Sequence, residues 1–230
     1  MPVDVVRKDI KNVHLAVYPP AGRVRIAAPR RLSDDAIRLA VVTRLGWIRR
    51  QQRMYAGQER QSEREMVSGE SHYVEGRRYR LKVIESDVRP HARLRSTRML
   101  DLVVAPGSSR EVRARALDRW YRARLRQEAQ SLITKWEPIV GVRVSSWGIR
   151  KMRTRWGSCH ESNGRILLNL ELAKKDRDCL EYIVVHELVH LLEREHNDRF
   201  RAFMDRFMPA WRLHRDKLNR APLANEHWHY

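Results

Sequence analysis

The residues best suited to chemistry are two histidines and a glutamate in the segment His186-Glu187-Leu188-Val189-His190. Four residues of an α-helix turn about 400° around its axis and rise about 6 Å along it, so His186 and His190 project from one face. Both can therefore reach one metal ion, while Glu187 lies on the neighbouring flank. This H-E-x-x-H spacing is typical of zinc hydrolases, in which two imidazoles hold zinc and the glutamate takes a proton from a bound water.

The sequence around this motif predicts a buried helix. Apolar residues surround it on nearly every side, and they are Ile183, Val184, Val185, Leu188, Val189, Leu191 and Leu192. A buried imidazole needs a compensating partner, and one metal ion compensates two imidazoles at once. The alternative is that hydrogen bonds satisfy each histidine without an ion.

His196 is the candidate third ligand, because it follows His190 by six residues and lies just beyond the apolar run. Glu193 and Glu195 compete with it and would make the site two histidines and a carboxylate. Imidazole suits zinc well, which favours His196. The three histidines and the glutamate together predict a zinc-dependent hydrolase with Glu187 as its general base.

His196 can join the site only if the helix ends before it, since an unbroken helix would turn it about 240° away from His190. The segment from Leu191 to Glu195 contains only helix formers. We therefore expect the break at the His196-Asn197 pair, with Asn197 or Asp198 capping a new helix at Phe200.

The hydrophobic period predicts an α+β chain in two parts. Residues 1–105 form a β-rich N-terminal region with one helix, which Ser33 caps and in which Trp47 is a core residue. The turn-rich stretch Ala105-Pro106-Gly107-Ser108-Ser109 is the predicted boundary. Residues 106–230 carry a long arginine-rich helix, a pair of strands and then the helix with the two histidines.

The strands before the metal helix predict a hairpin with its turn at Ser162-Asn163-Gly164. We expect the hairpin to border the active-site cleft and one of its edges to pair with an extended substrate. Asn169 is a candidate for contacting that substrate, with stabilisation of the hairpin as the alternative. Cys159 is interpreted as a packing residue rather than a metal ligand, since three histidines already supply enough protein ligands.

The charge and the cysteine content limit the partners and the compartment. Lysine and arginine number 47 against 28 carboxylates, which gives a net charge of +19 and makes nucleotides or nucleic acid possible partners beside a polypeptide substrate. The arginines are spread along the chain, so a solvated arginine-rich surface is the alternative. Two cysteines, no leader and no long apolar run indicate a cytoplasmic protein without a membrane partner.

In four motifs the chain resembles the YgjP-like (DUF45) metallopeptidase-domain family, which is related to SprT-like zinc peptidases. The motifs are His186-Glu187-Leu188-Val189-His190, His196 with Phe200, Arg155-Trp156-Gly157-Ser158-Cys159, and Gly164-Arg165-Ile166-Leu167-Leu168-Asn169. The resemblance is strongest over residues 140–215. It implies a zincin-like catalytic domain, with an H-E-x-x-H helix packed on a small sheet. It also implies His186, His190 and His196 as zinc ligands and Glu187 as the general base.

The function that these observations favour is a zinc metallopeptidase acting on polypeptides. A metal-dependent nucleotide pyrophosphatase or phosphoester hydrolase is the alternative, since that activity has also been attributed to the family and the chain is strongly basic. A nucleic-acid-associated metal-binding protein is a third possibility. The group that stabilises the oxyanion is left open between an arginine, His214 and the ion alone.

Overall fold

The computed structural model describes residues 1–18, 22–57, 64–152 and 155–220. Within these residues the chain has six α-helices and three small sheets, which confirms the predicted α+β class. The sequence also predicts a turn at Pro19-Pro20-Ala21-Gly22 and a loop or frayed helix end over residues 57–69, of which residues 19–21 and 58–63 lie outside the described residues. No helix in the described part is long and apolar enough to cross a membrane. The chain divides into two compact units between residues 63 and 64.

The first unit is a three-stranded sheet with two helices. Its elements are β1 Val3–Lys8, β2 His14–Tyr18, β3 Arg23–Pro29, α1 Asp34–Val42 and α2 Leu45–Gly57. The strand order is β1-β3-β2, with β1 parallel and β2 antiparallel to β3. Ser33 caps α1 as predicted, but α1 ends at Val42, so the single predicted helix is two. Trp47, expected in the core, is exposed, and Ile48 is the buried residue of α2.

The second unit begins with a four-stranded sheet packed on a long helix. Its elements are β4 Ser71–Val74, β5 Arg77–Glu85, β6 His91–Leu94, β7 Met99–Val104 and α3 Arg110–Val140. The order is β4-β5-β7-β6, with β5 and β7 parallel and the outer pairs antiparallel. Ser109 caps α3 at its start, and Gly141 ends it in the left-handed conformation with φ 79°.

The contacts divide the chain earlier than the predicted boundary between residues 105 and 106. Strands β5 and β7 share one hydrophobic core with α3, in which Leu81 and Leu102 accompany Leu117 and Tyr121. The turn at residues 105–109 therefore joins elements of one compact unit. The division into a β-rich N-terminal region of residues 1–105 and a zincin-like domain of residues 106–230 stays a prediction.

The rest of the second unit carries the candidate site. It comprises β8 Ser146–Arg150, β9 Gly157–His160, β10 Arg165–Asn169, α4 Arg177–Val189, α5 Asp198–Phe207 and α6 Trp211–Arg220. The strand order is β8-β10-β9, so β9 is an edge strand that pairs antiparallel with β10 alone. The β9–β10 turn is the predicted one, closed by Gly164 at φ 60°. Helix α4 packs against α3, α5, α6 and β9.

His72 makes the stability of the β4–β7 sheet sensitive to acid. Its side chain is 5% exposed and lies 3.2 Å from a Glu70 carboxylate oxygen. Burial disfavours the charged ring and lowers the pKa of His72 from 6.5 to about 4, although the Glu70 contact opposes this shift. Between these two values the unfolded chain binds more protons than the folded chain, so the free energy of unfolding falls as the pH falls.

We predict that His72→Gln loses less stability on acidification than the wild-type chain. The difference between the two chains should change by about 1–3 kcal/mol between pH ~7 and pH ~4.5, measured by urea unfolding. His14→Gln, which removes an exposed imidazole on β2, is the control and should follow the wild-type chain. If His72→Gln and the wild-type chain lost the same stability on acidification, His72 would not contribute to the acid sensitivity.

Candidate metal centre

The structure brings together the three histidines proposed from the sequence. His186 lies in the last turn of α4, His190 is the residue that caps its end, and His196 lies two residues before α5. The Nε2 atoms of His186 and His196 are 3.0 Å apart. One nitrogen from each ring lies within 4.8 Å of those of the other two, so the three could hold one ion.

The chain reverses between His190 and His196, where continued helix would have separated them. Helix α4 ends at Val189, and the N–H groups of Leu191 and Leu192 bond three residues back, which tightens the last turn. Asn197 caps α5 as predicted, because its side chain accepts a hydrogen bond from the Phe200 N–H at 3.0 Å. The break therefore begins at His190, earlier than the predicted His196-Asn197 pair.

A hydrogen bond to the reversing segment fixes the orientation of His190. Its Nδ1 lies 3.1 Å from the carbonyl oxygen of Glu193, and since a carbonyl can only accept, Nδ1 carries the proton. The lone pair of His190 is therefore on Nε2, the arrangement that metal-binding imidazoles adopt when their other nitrogen donates to a carbonyl. Glu193 contributes this carbonyl, and neither Glu193 nor Glu195 belongs to the cluster of possible metal ligands.

All three imidazoles are held in their neutral form. Burial and the neighbouring histidines lower the pKa of His186 to about 3. Burial also lowers the pKa values of His190 and His196. A neutral imidazole offers the lone pair that a metal ion requires. The Nδ1 of His186 is buried with no hydrogen-bond partner among the described residues.

Phe200 forms an apolar floor beneath the cluster. Its ring centroid lies 5.0 Å from that of His186 and 4.7 Å from those of His190 and His196. Phe200 is 1% exposed, and Met204, one turn later on α5, is fully buried behind it. Both residues are packing residues, as expected, and Phe200 excludes water from one side of the three rings.

Glu187 is buried beside the cluster, against the start of β9. It is 4% exposed, and burial raises its pKa to about 8, with the nearby charge of Arg155 opposing the shift. A Cβ atom added at Gly157 would lie 2.8 Å from the Glu187 Cδ and 2.9 Å from its Cγ. Only a glycine allows this approach, so Gly157 fixes the distance between β9 and Glu187. The sequence alone does not indicate this role of Gly157.

The histidines and Glu187 open into a cleft of about 710 Å³ between β9, α4 and α6. Three arginines line it: Arg155 before β9, Arg194 in the reversing segment and Arg215 on α6. Arg194 lies 3.6 Å from Glu161, which also lines the cleft. His214, considered for the oxyanion, is not among the lining residues.

Asn169 is a structural residue, which rules against the predicted substrate contact. Its Nδ2 donates to the carbonyl oxygens of Met152 and Arg155, both at 2.8 Å. Its Oδ1 accepts from the N–H groups of Met152 and Glu171. The side chain is 4% exposed, so no donor or acceptor is left for a substrate. Asn169 holds both sides of the loop that leads into β9.

Cys159 fits the packing role expected of it. It is half-buried against the hydrophobic core, and burial raises the pKa of its thiol to about 12. The thiol therefore stays protonated, the form that does not bind zinc. Cys179 is fully buried at the start of α4, with the pKa of its thiol raised to about 11.

Comparison with known proteins places this site in a family. A family model described as YgjP-like, metallopeptidase domain, matches residues 11–221. No curated protein matches the chain. Among solved structures, the metallopeptidase zymogen abylysin of Pyrococcus abyssi is similar, with 21% identity over 41% of this chain and 99% of that one, at a TM-score of 0.37.

The family match covers most of the chain, including every residue of the candidate metal centre. It agrees with the resemblance seen in the motifs around His186 and Gly157. The fold that carries those motifs is mixed α+β, as the sequence predicted. The chain belongs to the YgjP-like family of metallopeptidase domains.

Proposed function

We propose that the chain is a zinc-dependent metallopeptidase of the zincin-like type, with zinc held by His186, His190 and His196. The observation that carries this proposal is the convergence of three neutral imidazoles beside a buried carboxylate, at the base of an open cleft. Three protein nitrogens with a free fourth position are the donor set of a catalytic zinc site. Membership of a metallopeptidase family supports the hydrolytic chemistry.

The residues present fit a divalent cation. The Nε2 atoms of His186 and His196 lie 3.0 Å apart, where one neutral ring can donate a hydrogen bond to the other; both could instead bind a cation when their Nδ1 atoms carry the protons. His190 is already oriented by its bond to Glu193. Bound zinc would supply Lewis-acid chemistry, lowering the pKa of a water at the site and polarising the scissile carbonyl.

Glu187 is the proposed general base. Without an ion, burial raises its pKa to about 8 and favours the protonated acid, and a bound divalent cation would favour the carboxylate instead. Its Oε2 has no hydrogen-bond partner among the described residues, so the carboxylate could then accept a proton from a water in the cleft. The same carboxyl group then donates that proton to the leaving amine. Gly157 holds β9 close to Glu187 and limits the movement of the side chain during these transfers.

A polypeptide is the proposed substrate because of the geometry of β9. The strand lines the cleft and pairs on one side only, with β10, so its other edge can pair with an extended peptide chain. Arg155 is the proposed oxyanion stabiliser, since it lines the cleft and its charge acts on Glu187. The cleft arginines would also favour an anionic substrate, so a nucleotide is the alternative to a polypeptide.

We predict that Glu187→Gln retains zinc but loses hydrolysis by about 100-fold or more, because general-base catalysis contributes a factor of this size. Zinc content is measured by mass spectrometry, and hydrolysis is measured with an unfolded polypeptide and, separately, with nucleoside triphosphates. Glu181→Gln is the matched control: Glu181 lies on the same helix, bonded to Lys135 and Trp136 rather than lining the cleft. Unchanged hydrolysis by zinc-loaded Glu187→Gln would refute the role, and cleavage of nucleotides alone would refute the peptidase assignment.

The third ligand is tested by comparing His196→Ala with Glu193→Gln. We predict that His196→Ala lowers zinc affinity by about 100-fold or more, whereas Glu193→Gln stays within a few-fold of wild type, since Glu193 orients His190 through its backbone. Competition with a chromogenic chelator measures the affinity. If Glu193→Gln instead lost more zinc affinity than His196→Ala, the third ligand would be the Glu193 carboxylate.

We predict that Gly157→Ala lowers kcat by about 10- to 100-fold while zinc content is unchanged. The added methyl group would displace Glu187, and a displacement of about 1 Å at a catalytic group has an effect of this order. Gly148→Ala, on β8 of the same sheet, is the control, because a Cβ there makes only ordinary contact with Leu167. Equal kcat values for the two variants would show that Gly157 does not position Glu187 for catalysis.

A further inference from the structure

The outer face of the β4–β7 sheet carries a regular row of cations. On β5, Tyr79 and Leu81 are buried against α3, so the alternation of a strand places Arg78, Arg80 and Lys82 on the opposite face. All three are exposed. Residues that alternate in this way repeat about every 6.6 Å along the strand, so the charges form a straight, evenly spaced line.

The neighbouring strands extend this row across the sheet. Asp101 on β7 lies opposite Lys82 on β5 and opposite Arg93 on β6, so the three form one cross-strand row. The Nε of Arg93 is 3.5 Å from one carboxylate oxygen of Asp101, and an Arg95 guanidinium nitrogen is 3.6 Å from the other. Arg93 and Arg95 thus continue the cationic surface beyond β5.

Asp101 is the one carboxylate among the outward-facing residues of these four strands, and it is fully buried. Its two oxygens are within ion-pair range of the arginines but too far for hydrogen bonds. The arginine side chains themselves remain 63% and 48% exposed. Buried Asp101 therefore lies within ion-pair distance of both arginines, while their side chains stay exposed at the surface.

On β5 this face has no counter-ion among the described residues. Some cations on the helices do have a carboxylate partner, for example Lys135 with Glu181 at 2.6 Å and Arg177 with Glu128 at 3.2 Å. No described residue forms an ion pair with Arg78, Arg80 or Lys82. Five cations and one carboxylate give the face a net charge of about +4.

We propose that this basic sheet face, formed by Arg78, Arg80, Lys82, Arg93 and Arg95, binds the phosphate backbone of a single-stranded nucleic acid. Guanidinium groups match phosphate oxygens in geometry, and an evenly spaced row of cations matches a chain that bears one charge per unit. Tyr73 lies beside Arg78 in the register of β4 and β5 and is partly exposed. Its ring offers a base a stacking surface of the kind that single-strand-binding proteins use.

This binding surface is separate from the proposed catalytic centre. None of its five cations lines the cleft around the three histidines. The binding therefore needs neither zinc nor hydrolysis, and it can be measured whether or not the peptidase proposal holds. Failure of either proposal leaves the other intact.

The test is the salt dependence of oligonucleotide binding. A fluorescein-labelled oligothymidylate is titrated with the full chain at several salt concentrations, and anisotropy gives the association constant. For a single strand the slope of log K against log salt changes by about 0.7 for each phosphate contact. We expect Arg80→Gln combined with Lys82→Gln to weaken binding and to reduce the slope by about 1.4 relative to wild type.

The matched control is Arg177→Gln combined with Arg206→Gln, which removes the same charge from exposed helical positions outside the sheet. It should keep the wild-type slope, and thermal unfolding should show both double variants folded. An equal loss of slope in the two variants would mean that net charge alone attracts the strand. Displacement of the oligonucleotide by polyglutamate or by duplex DNA more readily than by unlabelled oligothymidylate would also overturn the proposal.

Discussion

Three imidazole rings can meet as closely as those of His186, His190 and His196 only while they are uncharged. Two imidazolium charges separated by the 3.0 Å between the His186 and His196 nitrogens would repel each other by about 5 kcal/mol, even in a medium of intermediate polarity. Burial of the rings over Phe200 keeps them neutral. Neutral rings at this distance can share a hydrogen bond, and their nitrogens could instead bind one cation together. The reversal of the chain after α4 permits this meeting.

The buried carboxyl group of Glu187 is the second constraint on the site. A carboxylate away from water is costly, and the raised pKa of Glu187 expresses that cost. Strand β9 approaches the side chain closely at Gly157, where an added Cβ would lie 2.8 Å from the Glu187 Cδ. Asn169 binds the carbonyl oxygens of Met152 and Arg155, which precede β9. A divalent cation nearby would offset the cost, which links the buried acid to the three neutral rings.

Local patterns in the sequence predicted the parts of this site that depend on one element. The spacing of His186 and His190 and the cap at Asn197 could be recognised because helical geometry fixes them within a few residues. The start of the reversal could not, since Leu191 to Glu195 all favour helix and their order does not indicate the hydrogen bond of His190 Nδ1 to the Glu193 carbonyl. The role of Gly157 could not be predicted either, because it exists only where α4 approaches β9.

The positions of the basic side chains depend on the repeat of the element that carries them. On α3, Arg113 lies 3.4 Å from a Glu85 carboxylate oxygen and Arg124 pairs with Glu75, so carboxylates offset part of that arginine-rich helix. On β5 a period of two concentrates Arg78, Arg80 and Lys82 on one face, and the same alternation turns Glu85 toward α3. A short alternating segment can therefore place three cations side by side on one face of a sheet with no carboxylate of the same strand between them.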